Sequence, residues 1–247
     1  MYNMAISINE YDCTIKHPAR ILIFGPTLSG KSTFVSKVLD NQEELFNLKF
    51  DRIIYCSDGS MLKTESNIGS IETYESFDKE LFESFNSKQN NCLIIDDFMH
   101  RAANDIQISE LFTKRSHHQN VTIILLMQNI FPKSKYMTDI KRNASYIVLM
   151  SNPIDEKSIK LLSSHLEPSN PLFIYNCFID ATKNKPYSYL FIDLHPEQRN
   201  EIRVRTNVIP TSDGIREQIA FVKTKEYYQL CRRIRSACQD QEQGEIS

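Results

Sequence analysis

The sequence predicts an α/β fold around a central, mostly parallel sheet, and three stretches predict it. The apolar run Ile21 to Phe24 leads into Gly25-Pro-Thr-Leu-Ser-Gly-Lys-Ser32 and then into helical spacing over Lys31 to Leu39. A second apolar run, Cys92 to Ile95, ends in the carboxylates Asp96 and Asp97. The third, Val121 to Met127, is a mostly apolar run of seven residues that stops at Gln128-Asn129. Runs without polar alternation are what strands buried on both faces require, and such strands belong to parallel sheets covered by helices.

The strand–loop–helix around Gly25 has the spacing of a phosphate-binding loop, and each position has a physical reason. Gly25 and Gly30 permit backbone angles that let successive N–H groups turn toward an anion. The helix opening at Lys31 aims the positive end of its dipole at the same place, and the Lys31 ammonium reaches β and γ oxygens. Ser32 is placed to ligate Mg²⁺ and Thr33 to touch an α-phosphate, so the nucleotide-binding set runs Gly25, Pro26, Thr27, Leu28, Ser29, Gly30, Lys31, Ser32 and Thr33. The acidic strand delivers its carboxylates to the carboxyl edge of the sheet, where ligands bind in open α/β folds. Asp96 is expected to hold Mg²⁺ with Ser32, and Asp97 to polarise the attacking water as general base. Gln128 ends its own strand at that edge and is the candidate γ-phosphate sensor.

Elsewhere, residues 1–19 are polar and irregular and read as an N-terminal arm. Asp51 to Cys56 reads as a strand, followed by a loop rich in Ser, Gly and Asn. Helical spacing is expected over Phe77 to Phe85, Asp105 to Ser116, Asp155 to Ser164 and Leu172 to Thr182. Tyr146 to Met150 reads as a buried strand, and Tyr187 to Leu194 with Ile202 to Thr206 as a final strand pair. Ile215, Ile219, Val222, Leu230 and Ile234 then fall on one face of a C-terminal helix over 215–238. The division is therefore an arm over 1–19, an ATPase domain over 20–210, and a helical extension over 211–247.

A chain of 247 residues suits one such domain with additions. No stretch approaches the roughly 18 apolar residues of a membrane span, and no signal-peptide pattern opens the chain, so an intracellular, soluble protein is expected. The six cysteines, Cys13, Cys56, Cys92, Cys177, Cys231 and Cys238, show no CxxC spacing and read as reduced and structural. With a net charge of −2 there is no global attraction for nucleic acid. Any contact with it falls to local basic clusters: Lys133 and Lys135, Lys141 and Arg142, Arg203 and Arg205.

Beyond these elements, the chain resembles the FtsK/HerA-type DNA-packaging ATPases of double-stranded DNA viruses, most closely those of Polintons and adintoviruses, which are related to the poxvirus packaging enzyme. The resemblance spans about residues 16 to 210. It rests on GPTLSGKST, CLIIDD, SHHQNVTIILLMQN (116–129), IKRNASYIVLMSNP (140–153), PYSYLFIDLHP and IRVRTNVIP. It implies a RecA-like (ASCE) sheet with the Gln128 strand between the loop strand and the acid strand. It also implies a homo-oligomeric ring that uses ATP and Mg²⁺ to thread double-stranded DNA into a capsid, a capsid-protein partner, and a place at the virus assembly site in host cytoplasm or nucleus, or in the virion. Such motors take an arginine from a neighbouring subunit; Arg115 is the best match, with Arg101 and Arg142 open. A nucleic-acid helicase or other remodelling ATPase would use the same site, and a non-hydrolysing assembly scaffold would not need the acid pair.

Overall fold

A computed structural model describes residues 3–8, 11–59, 61–64, 70–96, 104–183, 186–211, 214–215 and 217–224. Its strands are β1 (Asn3–Ser7), β2 (Arg20–Phe24), β3 (Arg52–Cys56), β4 (Ile71–Tyr74), β5 (Asn91–Ile95), β6 (Val121–Met127), β7 (Tyr146–Met150), β8 (Tyr189–Asp193), β9 (Val204–Thr206) and β10 (Ile219–Lys223). They form one ten-stranded sheet in the order β1-β10-β9-β8-β7-β2-β6-β5-β3-β4. From β7 to β4 every pairing is parallel, whereas β8, β9, β10 and β1 extend the other side antiparallel. The mostly parallel α/β architecture is as expected.

Both faces of β2, β3, β5, β6 and β7 are covered, which is why these strands lack polar alternation, whereas the edge strand β4 is partly exposed. Leu22 and Phe24 of β2 pack with Phe112, Ile140, Leu162 and Phe178 from helices on one face. Ile21 and Ile23 pack on the other face with Phe34, Val35 and Val38 of helix α1 (Lys31–Asp40). Among the described residues no helix is long and apolar enough to cross a membrane.

Among the described residues, three secondary-structure expectations differ from the structure. Residues 3–7, read as irregular, form β1 and pair with β10. The Ser/Gly/Asn-rich loop contains β4, which the Arg52 guanidinium clamps to β3 by forking the Glu72 carboxylate at 2.7 and 2.8 Å. Residues 219–223, expected within a helix over 215–238, are strand β10. Ile219 and Val222 satisfy helical spacing, but Ile-Ala-Phe-Val is also a short apolar run, and such runs do not distinguish the two states. Pairing on both sides with β1 and β9 decides it, burying Ala220, Phe221 and Val222. The rest of the expected helix, from residue 225, lies outside the described residues.

The antiparallel side is pinned by Arg205, wholly buried and bonded through Nη2 to Asp193 Oδ2 at 2.8 Å, its guanidinium 5.1 Å from the Phe191 ring. Breaking a buried pair strands a charge, whereas replacing both members removes it. Arg205→Met is expected to destabilise the protein by about 3 kcal/mol or more, and Arg205→Met with Asp193→Leu by much less. Urea unfolding of the three proteins checks this; equal losses would mean that the pair contributes only packing.

Candidate active site

Parallel pairing brings three strand ends to one edge. Phe24 lies opposite Met127 and Ile95 opposite Leu125, so Gly25, Asp96 and Gln128 all emerge at the carboxyl edge. The Gly25 N–H donates to Met127 O at 3.0 Å, tying the start of the loop to the end of β6.

The loop geometry explains both glycines. A Cβ on Gly25 would lie 2.7 Å from Cβ of Met150 on the neighbouring β7, so only hydrogen fits there. Gly30 caps α1 at φ 91°, which an L side chain resists. Between them the Ser29 N–H donates to Pro26 O at 3.2 Å, and Leu28, at φ 65°, points its side chain into solvent.

Lys31 is buried, and its ammonium donates to Gly25 O at 2.8 Å and Pro26 O at 3.0 Å, holding the positive charge over the first residues of the loop. Beside it the Ser32 hydroxyl donates to Asp96 Oδ2 at 2.7 Å, and the Tyr55 hydroxyl donates to the same oxygen at 2.9 Å. Asp96 is only 2% exposed and is anchored by its own N–H to Cys56 O at 2.9 Å. One hydroxyl and one carboxylate, both hard oxygen donors, suit Mg²⁺, which keeps several waters and takes few protein ligands. The donors at hand therefore fit the expected ion. Tyr55 was not read from the sequence as part of the site. The available signal is a tyrosine in an otherwise apolar buried strand, because its hydroxyl must find a partner there.

Gln128 is exposed immediately after β6, beside the loop. Asp97 and Arg101 lie outside the described residues. Arg115 sits at the other end of β6, in a π-helical turn, Leu111–Arg115, that leads toward Val121. Seven strand residues, roughly 23 Å, separate that edge from the phosphate loop, so Arg115 cannot reach the loop of its own chain. It pairs with Glu110 at 2.8 Å, both side chains being more than a third exposed. Arg142 is exposed at the end of the helix Met137–Arg142 on the same amino-terminal side of the sheet.

The basic clusters separate into exposed and inward-turned groups. Lys133 and Lys135 are exposed on the segment after Gln128, and the Lys135 N–H donates to the Asn104 side chain at 3.1 Å. The Lys141 ammonium is turned inward, donating to Ile130 O at 3.2 Å and lying 3.8 Å from the centre of the Phe131 ring. The pairing of Arg203 with Arg205 as a DNA-facing cluster is not sustained. Arg205 is wholly buried, and Arg203 is spent on Asn200 Oδ1 and the carbonyls of Asp193 and His195.

No family model and no curated protein matches the chain. Among solved structures it is similar to the genome packaging NTPase B204 of Sulfolobus turreted icosahedral virus 2 in complex with sulfate. That likeness has 19% identity and a TM-score of 0.51, covering 78% of this chain and 96% of that one. The same protein in complex with ATP-gammaS aligns at 18% identity and TM-score 0.48, covering 79% and 97%. A KaiC-like protein from Pyrococcus horikoshii OT3 aligns at 12% identity and TM-score 0.42, covering 84% and 90%. The fold is that of the RecA-like P-loop ATPases. Within this RecA-like sheet β6 lies between the loop strand β2 and the acid strand β5, as the sequence resemblance implied.

Proposed function

We propose that the protein is a Mg²⁺-dependent ATPase of FtsK/HerA type that translocates double-stranded DNA during viral genome packaging. The observation that carries the hydrolytic part is the convergence at one sheet edge of a glycine loop, a buried lysine on that loop, and a hydroxyl–carboxylate pair joined at 2.7 Å. The packaging part is supported by the sequence blocks of residues 116–153 and 186–210 and by a likeness in fold to a protein described as a genome packaging NTPase.

In this reading the loop amides and Lys31 hold the phosphates and stabilise charge on the γ-phosphoryl group. Ser32 and Asp96 hold the Mg²⁺, which when bound neutralises phosphate charge; Tyr55 fixes the carboxylate. Asp97 takes the proton of the attacking water. Gln128 senses whether a γ-phosphate is present and passes the difference to the segment that follows it, where Lys133 and Lys135 are exposed to meet a DNA backbone. That segment touches Asn104, on the stretch that follows the acid pair, so both catalytic strands connect to it.

A triplex-displacement assay on blunt duplex tests this proposal. The protein is expected to displace the third strand with ATP, to leave the duplex unseparated, and to bind duplexes of different sequence equally, with an affinity that falls steeply as salt rises. Separation of duplex strands without displacement would favour a helicase, and salt-insensitive or sequence-selective binding would contradict backbone gripping.

A further inference from the structure

Beside the phosphate loop lies a cavity of about 510 Å³, within the size range of small-ligand sites. Gly30 and Thr33 form one end of it, and Lys37 continues the wall along α1. Thr33 is turned about 100° around the helix from Ser32, so the cavity opens on a different side from the Ser32–Asp96 pair. Because Gly30 and Thr33 line both the loop and the cavity, a ligand seated on the loop has room to extend here.

The opposite wall carries an aromatic ring beside polar side chains. Tyr187 is 66% exposed, yet its ring is wedged against the loop: a Cβ on Gly30 would stand 2.9 Å from its Cδ1. Its backbone is at φ 57°, a region that bulky side chains rarely occupy and that recurs where a ligand is clamped. Asn207, also on the cavity, is at φ 54°, and its side-chain amide makes no hydrogen bond among the described residues. Tyr189 stiffens the floor, packing edge-on to Phe34 at 4.7 Å and accepting from the Ile209 N–H at 3.3 Å. Glu217 lines the rim, where its carboxylate repels phosphate and accepts from an amino group.

We propose that this cavity holds the base of the nucleotide, an amino-bearing purine, with Tyr187 as the stacking face and Asn207 and Glu217 reading its polar edge. The assignment rests on the nucleotide-binding reading above. Calorimetric titration of the full chain with ATP and with inorganic tripolyphosphate, each with Mg²⁺, tests it. Wild type is expected to bind ATP more tightly than tripolyphosphate. Tyr187→Ala is expected to weaken ATP about tenfold while leaving tripolyphosphate unchanged, and Tyr187→Phe to restore ATP binding. Tyr187→Ala binding ATP like wild type, or losing both ligands in equal measure, overturns the base site and leaves the phosphate site standing. Wild type binding neither ligand overturns the nucleotide reading and the base site together.

Discussion

Subunits carrying Arg115→Ala and subunits carrying Asp97→Asn are each expected to lose ATP turnover by on the order of 10³-fold, and mixing the two is expected to bring part of it back. The position of Arg115 requires this form of test. It stands at the amino-terminal end of β6, and the loop whose phosphate it would serve lies beyond the carboxyl end of the same strand. Only a neighbouring copy can present it there, as in a ring that joins the amino-terminal edge of one sheet to the carboxyl edge of the next. Its contact with Glu110 is a half-exposed pair of the kind that contributes at most about 1 kcal/mol, so exchanging that carboxylate for a phosphate is not opposed. In a mixed ring, some interfaces join an intact Asp97 site to an intact Arg115 donor, and these turn over. Full activity of Arg115→Ala alone, or a mixture that stays inactive although mixed rings form, would remove Arg115 from this role and pass it to Arg142 or Arg101.

Lys31→Ala is expected to lower turnover by about 10²–10³-fold and to weaken ATP binding as well. The ammonium is the one cationic side chain buried within the loop among the described residues, and it is held against Gly25 O and Pro26 O. Its removal takes away a charge that attracts the phosphates in the ground state and interacts more strongly with the negative charge that builds on the leaving oxygen as the γ-phosphoryl group departs. Asp97→Asn, in contrast, leaves the loop intact and is expected to bind ATP normally. Steady-state kinetics with a parallel binding titration separates the two: wild-type turnover together with wild-type affinity in Lys31→Ala would contradict its place on the phosphates.

The phosphate loop, the acid strand and the glutamine strand were legible in the sequence because each couples a long apolar run to a polar ending, and parallel pairing must gather such endings at one edge. Even the placement of β6 between β2 and β5 followed from the sequence resemblance. Short, weakly patterned strands were not legible. β1, β4 and β10 exist through their partners: β10 is fixed by pairing on both sides, and β4 by the forked contact between Arg52 and Glu72. The helical reading of 219–223 failed because Ile219 and Val222 fit either period. Tyr55 and Tyr187 were missed for another reason. Each meets the site through an approach between segments far apart in sequence, Tyr55 to Asp96 and Tyr187 to Gly30; a tyrosine in a buried apolar strand signals that its hydroxyl has a partner, but not which one. Arg205 shows the converse, since a surface-looking basic pair along the chain was divided by burial.

The central proposal is hydrolysis of ATP in response to duplex DNA, so the most direct measurement is the rate of Mg²⁺-dependent ATP hydrolysis by the wild-type chain with and without long double-stranded DNA. A measurable rate is expected that rises when duplex is added and collapses in Lys31→Ala under both conditions. A wild-type chain that binds ATP but hydrolyses it no faster than Lys31→Ala, with or without duplex, would contradict it.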